Sequence, residues 1–205
     1  MRVIGLTGSI ACGKSNVSSA LRELGAAIVD GDEIAHALTA PGGAALPLLR
    51  EAFGDGVFRE DGTLDRKALG AVVFGDAAAR QRLDDLMQPP IRQETLRQME
   101  AARHEGRAAC VLDMPLLFEK GLETLCDSVW SVWIPRETQL ERLMARDGCP
   151  REAAEARVAS QLSADEKAAR ADVVIDTSGT AEETRARIPA LYQKELEDDP
   201  CSSHL

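Results

Sequence analysis

The sequence predicts an α/β fold built on a five-stranded, mostly parallel sheet. Two observations support this prediction: short apolar runs alternate with longer helical patterns, and each run is followed by polar or turn residues. The predicted strands are residues 3–6, 26–29, 108–112, 129–134 and 173–175. Because the runs are apolar throughout, we expect helices to cover both faces of the sheet.

Length and charge narrow the possible functions. The 205 residues suggest one domain, or one domain that carries a sizeable insertion. Acidic residues outnumber basic ones by 34 to 24, and the net charge of −10 argues against a nucleic-acid partner. Aromatic residues make up only 3%, so a base-stacking surface is not expected either. A local basic pocket for a small phosphorylated ligand remains compatible with this charge.

The sequence carries no signal for a membrane or for an oxidising compartment. No apolar run approaches the ~20 residues that a membrane-spanning helix needs, and the N-terminal run is too short for a signal peptide. The five cysteines are odd in number and show no Cys-x-x-Cys spacing, which argues against a zinc site or a disulfide framework. We therefore expect a cytoplasmic protein without a membrane partner, either a monomer or a weak homo-oligomer.

The connections between the predicted strands are unequal. About 80 residues separate the second strand from the third, far more than a simple crossover requires. Leu83, Leu86 and Met87 have helical spacing, and Pro89-Pro90 predicts a helix break followed by a further helix. We interpret residues 36–106 as a helical insertion for acceptor recognition and the Arg-rich residues 136–170 as a helical lid. The core of this single domain is then residues 1–35, 107–135 and 171–196.

The strongest motif is the segment from Gly8 to Ser15, called the phosphate loop below. It fits G-x-x-x-x-G-K-[ST] between the first strand and an amphipathic helix. Gly8 and Gly13 allow the backbone N–H groups to point at a phosphate, and the helix N-terminus adds its positive end. Lys14 neutralises the β- and γ-phosphates, and the Ser15 hydroxyl can coordinate Mg²⁺. The motif predicts binding of a nucleoside triphosphate on a P-loop NTPase fold.

The reaction follows less directly from this motif, because switches, motors and small-molecule kinases share it. A GTPase usually carries an Asn-Lys-x-Asp signature, and the only asparagine in this chain is Asn16. The chain is also small for a multidomain motor. These observations favour a small-molecule kinase.

Acidic residues follow the second and third predicted strands, at the sheet edge where ligands of α/β folds bind. Asp32 fits two roles equally well, a base that accepts the proton of an attacking hydroxyl or a helix N-cap. Asp30 fits a cap or a supporting residue. Asp113 fits a carboxylate that holds Mg²⁺ through water, or a turn residue that ends the strand, with Pro115 stopping the strand pairing.

Arginines recur at helical spacing in residues 136–170. Arg142 and Arg146 lie four residues apart, on a different face from the apolar stripe, and Arg157 and Gln161 repeat the spacing. Such residues usually form a solvated face. Alternatively, guanidinium groups closing over the phosphates would exclude water and stabilise the transferring charge.

Several further motifs follow the phosphate loop in order. They are Val29-Asp30-Gly31-Asp32, Asp61-Gly62-Thr63-Leu64-Asp65-Arg66, Pro115-Leu116-Leu117-Phe118-Glu119, Glu141-Arg142-Leu143-Met144-Ala145-Arg146-Asp147, Arg157-Val158-Ala159-Ser160-Gln161 and Asp172-Val173-Val174-Ile175-Asp176. This ordered series, over about residues 2–195, resembles the dephospho-coenzyme A kinase family. Each motif alone is weak, whereas their order is specific.

The resemblance implies that MgATP phosphorylates the ribose 3′-hydroxyl of dephospho-coenzyme A, the last step of coenzyme A biosynthesis. It implies that Asp32 is the general base and that Lys14 and Arg142 act on the phosphates. The residues implied to bind ATP are Gly8, Ala11, Cys12, Gly13, Lys14, Ser15, Asn16 and Arg146. Those implied to bind the acceptor are Asp32, Leu116, Leu117, Phe118, Glu119, Arg157 and Gln161.

The chain departs from the pattern of this family at a few positions. Gln88 stands where relatives commonly have His before Pro, and Thr177 stands where they often have Asn. In the phosphate loop, Ala11 and Cys12 replace residues of a Gly-x-Gly-Ser-Gly-like loop, and we expect Ala11 to keep a negative φ. Because Cys12 lies beside a helix N-terminus, a lowered thiol pKa would make it a site where oxidation blocks ATP binding. Alternatively, Cys12 is a small residue that fills space.

Two other functions compete with this interpretation. Another small-molecule kinase, acting on a nucleotide or nucleoside hydroxyl, would show a different acceptor preference. A nucleotide-dependent binding protein would bind ATP without acceptor-dependent formation of ADP. The position of Asp32 after the second strand argues against the latter.

Overall fold

The structure is a computed structural model, and it describes residues 1–197. Its five strands are β1 (Arg2–Gly8), β2 (Ala27–Asp30), β3 (Ala109–Asp113), β4 (Ser128–Trp133) and β5 (Val173–Asp176). They form one sheet in the order β2-β3-β1-β4-β5. β1 pairs in parallel with β3 and β4, and β4 pairs in parallel with β5. The predicted α/β fold with a five-stranded parallel sheet is confirmed.

Nine α-helices are described in residues 1–197. They are α1 (Lys14–Glu23), α2 (Gly31–Leu38), α3 (Leu46–Phe53), α4 (Arg66–Gly75), α5 (Ala77–His104), α6 (Arg136–Asp147), α7 (Arg151–Val158), α8 (Ala164–Arg170) and α9 (Ala181–Glu197). Two short 3₁₀ turns lie at Asp55–Val57 and Leu122–Leu125. None of the helices described in this range is long and apolar enough to cross a membrane.

The core forms where the apolar strands meet α1 and α9. Ile4 and Leu6 of β1 are fully buried against Trp130 and Val132 of β4, together with Leu21 of α1. This burial holds β1 in the middle of the sheet, with its last residue, Gly8, at the carboxyl edge. The core therefore fixes the point from which the phosphate loop leaves the sheet.

The chain divides into two compact units. The first consists of Met1–Val29 and residues from Ala101 onward, and it contains most of the sheet. The second is Asp30–Glu100, and its own core includes Leu49, Val57 and Leu69. Each unit thus has an apolar core of its own. The domain boundaries predicted from the sequence stay a prediction.

The predicted helix break at Pro89-Pro90 is wrong. α5 runs without interruption from Ala77 to His104 and contains both prolines. A proline inside a helix removes one backbone hydrogen bond, but packing of neighbouring turns can outweigh this loss. Leu83 and Met87, six and two residues before Pro89, pack against the core of the second unit. Tertiary packing therefore overrides the local signal.

Candidate active site

The phosphate loop joins β1 to α1 as the motif predicts. Gly13 is the N-cap residue of α1 and has a φ of 85°, a left-handed conformation that favours glycine. No side chain caps this helix, and its first turn contains no acidic residue. The N-terminal N–H groups of α1 thus face a position suited to an anion.

Gly8 is required by the close packing of Cys12 over it. A Cβ atom at position 8 would lie 2.5 Å from Cys12 Sγ and 3.0 Å from the Val132 carbonyl oxygen. The Cys12 side chain is buried, and burial raises the pKa of its thiol. Desolvation outweighs the lowering of this pKa by the backbone hydrogen bonds and Lys14, which favours Cys12 as a small residue that fills space over the hypothesis of a reactive thiol.

The backbone conformation of Ala11 differs from the prediction. Its φ is +60°, so the expectation of a negative φ is wrong. A residue with a Cβ pays about 1–2 kcal/mol for the left-handed conformation. Such strain persists only where the surroundings hold the chain, and it is common at binding loops. The loop therefore holds Ala11 in a strained backbone conformation that glycine would adopt without strain.

Lys14 and Asp113 form an ion pair at the carboxyl edge of the sheet. Asp113 is the last residue of β3, where it lies beside Leu6 of β1, and its side chain is only 4% exposed. Lys14 begins α1. The parallel pairing of β1 and β3 thus places a lysine and a carboxylate together beside the phosphate loop, the combination that P-loop enzymes use for phosphates and Mg²⁺.

Arg142 lies against the same loop. One of its terminal nitrogens donates to the Thr177 carbonyl oxygen at 2.9 Å, and a Cβ at Gly13 would lie 3.9 Å from the other. The Thr177 hydroxyl lies 2.7 Å from the Cys12 carbonyl oxygen. The predicted proximity of Arg142 to the phosphate loop is thus present, and Thr177 supports the loop from the chain after β5.

Arg146 and Arg157 both bind the carboxylate of Asp147. Arg146 Nε donates to Asp147 at 2.7 Å, and Arg157 forms an ion pair with the same carboxylate. Hydrogen bonds from Arg146 and then Arg157 lower the pKa of Asp147 to about 2. In this structure the two arginines therefore face a protein carboxylate, and their roles toward ligands stay predictions.

Gln161 contacts the phosphate loop rather than an open surface. Its side-chain oxygen accepts a hydrogen bond from Ile10 N–H at 3.1 Å. Gln139, from the first turn of α6, donates to the Ile10 carbonyl oxygen at 2.8 Å. Both backbone polar groups of Ile10 are thus bound by glutamine side chains.

The four residues predicted to line the acceptor side follow β3. Leu117 and Phe118 are buried, whereas Leu116 is only partly so. The Glu119 carboxylate lies 2.9 Å from Nζ of Lys167, whose side chain is fully buried. Burial lowers the pKa of Lys167, and Glu119 counteracts that shift.

Asp32 belongs to the second unit, in the first turn of α2. Asp30 is the N-cap of this helix, and its carboxylate accepts hydrogen bonds from the N–H groups of Asp32 at 2.8 Å and Glu33 at 3.1 Å. The structure thus assigns the cap to Asp30 and not to Asp32. Asp32 is exposed to solvent.

Three residues near the phosphate loop were missed by the sequence reasoning. Gln139 and Lys167 look like ordinary polar residues of helices, and Thr177 like a departure from a family pattern. Their partners lie far away in sequence, 129 residues away for Gln139 and 165 for Thr177. No short-range pattern could have indicated these contacts.

Comparison with known proteins decides the family. A family model described as dephospho-CoA kinase matches residues 2–183 of the chain. The chain belongs to the dephospho-CoA kinase family. Membership makes it a kinase that transfers a phosphoryl group to an alcohol, and this family catalyses the last step of CoA biosynthesis.

Relatives support the dephospho-CoA kinase assignment over nearly the whole chain. A dephospho-CoA kinase of Symbiobacterium thermophilum is 52% identical over 94% of this chain and 81% of its own length. One of Geobacter sulfurreducens is 45% identical over 95% of this chain and 98% of its own. A solved dephospho-CoA kinase of Campylobacter jejuni has a TM-score of 0.72 at 30% identity, covering 96% of this chain and 98% of that one.

Proposed function

We propose that the chain phosphorylates the ribose 3′-hydroxyl of dephospho-CoA with ATP and releases CoA and ADP. The observation that carries this proposal is the phosphate loop with the Lys14–Asp113 pair beside it, in a chain of the dephospho-CoA kinase family. The loop supplies a site for the phosphates of ATP, and the family supplies the acceptor.

The ATP phosphates bind the phosphate loop and the N-terminus of α1. Lys14 leaves Asp113 for the phosphate oxygens, and Arg142, held near Gly13, neutralises the charge that develops during transfer. The residues proposed to bind ATP are those of the sequence prediction, namely Gly8, Ala11, Cys12, Gly13, Lys14, Ser15, Asn16 and Arg146. Catalysis in this proposal consists of positioning and charge neutralisation.

The residues beside the loop fit a Mg²⁺ ion. Residues 1–197 contain no group of three or more His, Cys, Asp or Glu side chains that could cage a metal, and Mg²⁺ bound to ATP does not need one. The Ser15 hydroxyl and the buried Asp113 carboxylate are hard oxygen ligands of the kind Mg²⁺ prefers. When bound, the ion would neutralise phosphate charge; Ser15 would hold it directly and Asp113 through water.

Asp32 is proposed as the general base for the 3′-hydroxyl. The sequence left a cap and a base equally open, and the cap is occupied by Asp30. A carboxylate within hydrogen-bond reach of the hydroxyl accepts its proton as the oxygen attacks the γ-phosphate. Asp30, by capping α2, fixes the backbone from which Asp32 projects.

The acceptor side is proposed to include Leu116, Leu117, Phe118 and Glu119, together with Arg157 and Gln161, as the family resemblance implies. The proposal also keeps the expectations of a cytoplasmic enzyme without nucleic-acid or membrane partners. The four cysteines in residues 1–197 are all free, as a reducing compartment would leave them, and Cys201 lies outside the described residues.

The test is ADP release from the purified chain with MgATP, measured with and without dephospho-CoA and against adenosine, AMP and shikimate as other acceptors. We expect ADP only when dephospho-CoA is present. Preference for another acceptor would favour a different small-molecule kinase. ATP binding without acceptor-dependent ADP would favour a nucleotide-dependent binding protein.

A further inference from the structure

Ile10 of the phosphate loop is held on both sides by glutamine side chains. Gln139 donates to its carbonyl oxygen at 2.8 Å, and Gln161 accepts from its N–H at 3.1 Å. Gln139 is buried, so its hydrogen bond is shielded from water. One glutamine acts as the donor and the other as the acceptor, so both backbone polar groups of Ile10 are satisfied.

Apolar packing reinforces these hydrogen bonds. Ile10 and Ala11 pack against a cluster that includes Leu140, Leu143 and Val158 of α6 and α7. Gln139 lies in the first turn of α6, and Gln161 follows the end of α7. The segment that runs from Gln139 to Gln161 therefore contacts the backbone of Ile10 at both of its ends.

An ion pair between Glu119 and the fully buried Lys167 holds the turn that carries Gln161. Glu119 accepts a hydrogen bond from Leu162 N–H at 3.0 Å, and the same carboxylate oxygen lies 2.9 Å from Lys167 Nζ. Lys167 also donates to the Pro115 carbonyl oxygen at 2.5 Å. A fully buried lysine is costly unless it is paired and hydrogen-bonded, and here both conditions are met.

We propose that Gln139 and Gln161 are positioning residues that clamp the phosphate loop at Ile10, and that the Lys167–Glu119 pair holds Gln161 in place. This inference rests on the proposed function and gives Gln161 a different role from the acceptor contact that the family resemblance implies. Neither glutamine touches the reacting atoms in this proposal.

The left-handed Ala11 shows why the loop needs such a clamp. It directly follows Ile10, and its φ of +60° is a conformation that an alanine leaves when nothing holds it. Fixing Ile10 by both of its polar groups defines where the strained turn begins. The N–H groups that bind phosphate are thereby aligned before ATP arrives, which is the requirement for electrostatic catalysis.

The test compares Gln161→Leu and Gln139→Leu with Gln193→Leu as a matched control. Gln193 is an exposed residue of α9 whose side chain bonds to Glu197. For each variant, the Kd for MgATP is measured by calorimetry, and kcat and the KM for dephospho-CoA are measured by ADP release. The melting temperature reports any general loss of stability.

The clamp predicts a specific pattern in these constants. Each clamp variant should weaken MgATP binding or lower kcat by roughly tenfold, because misplaced phosphate groups react poorly. The KM for dephospho-CoA should stay within about twofold of wild type, since acceptor binding does not depend on the clamp. The double variant should be little worse than the poorer single one, because both residues hold Ile10.

Other results would overturn the proposal. A rise in the KM for dephospho-CoA with unchanged MgATP affinity would make Gln161 an acceptor contact, and constants equal to those of Gln193→Leu would remove any role in turnover. If wild type itself gives no acceptor-dependent ADP, the proposed function fails, whereas MgATP affinity still tests the clamp.

The role of the Lys167–Glu119 pair is tested with Lys167→Met, and with Glu119→Gln should the first variant fail to fold. Whichever variant folds should have a lower MgATP affinity or kcat than wild type. Combined with Gln161→Leu, it should lower these constants little further. Full additivity of the two effects would show that Lys167 and Glu119 do not act through Gln161.

Discussion

Lys14 and Asp113 are paired in the structure, with both side chains largely withdrawn from solvent. The positive charge of Lys14 attracts the phosphates of ATP. The negative charge of Asp113 repels them unless a cation lies between. In the proposed function, phosphate and Mg²⁺ together replace this contact when they bind.

Asp113→Asn separates these two effects. Removing the carboxylate releases Lys14, so ATP without metal should bind at least as tightly as to wild type. Turnover with MgATP should fall by at least ~10-fold, because the carboxylate proposed to help hold Mg²⁺ is lost. Calorimetry in EDTA and steady-state assays with Mg²⁺ measure the two effects, and wild-type turnover would exclude Asp113 from the metal site.

Asp32→Asn should leave ATP binding intact while turnover falls by roughly 10²–10⁴-fold, the usual contribution of a general base. The amide keeps the size of the side chain but cannot take up the proton of the hydroxyl. Glu33→Gln, a change to the next residue in the same helical turn, is the matched control and should retain activity. Near-normal turnover of Asp32→Asn would remove Asp32 from the role of base.

Ala11→Gly should stabilise the chain by up to about 1 kcal/mol. Glycine relieves the left-handed strain of about 1–2 kcal/mol, and the greater freedom of the unfolded chain offsets part of this gain. Ala186→Gly, in the middle of α9, should instead destabilise by about 1 kcal/mol, because glycine is a poor helix former. Urea unfolding of both variants measures the difference, and the same sign for both would contradict the account of strain at Ala11.

Cys12 should resist alkylation in the folded protein. Its thiol is buried and has a raised pKa, so little thiolate is present at neutral pH and little of it is accessible. Iodoacetamide followed by peptide mass spectrometry should label Cys12 in urea but not under native conditions. Rapid native labelling with parallel loss of ATP binding would restore the hypothesis of a redox-sensitive loop.

The strands and the phosphate loop could be predicted because their signals are local. Each strand is a short apolar run, and the loop motif specifies which residue must begin α1. The continuity of α5 through Pro89 and Pro90 could not be predicted, because it depends on packing with chain segments distant in sequence. The left-handed Ala11 is a similar case, since the side chains that hold Ile10 come from α6 and from the turn after α7.

In the candidate site, too, local motifs predict some residues, whereas tertiary contacts determine the surroundings of others. Lys14, Ser15 and Arg142 could be selected from motifs, whereas the burial of Lys167 depends on Glu119, 48 residues away. The role of Asp30 could be narrowed only by the structure, which shows its carboxylate on two N–H groups of α2. Motifs therefore indicate candidate ligand-binding residues, and tertiary contacts decide which residues hold them in place.

Dephospho-CoA kinase activity is tested most directly by identification of the product formed from MgATP and dephospho-CoA. Liquid chromatography with tandem mass spectrometry distinguishes CoA, phosphorylated at the ribose 3′ position, from isomers phosphorylated elsewhere. We expect one product that co-elutes with authentic CoA and forms in equal amount with ADP. Unchanged dephospho-CoA, or a phosphoryl group at another position, would contradict it.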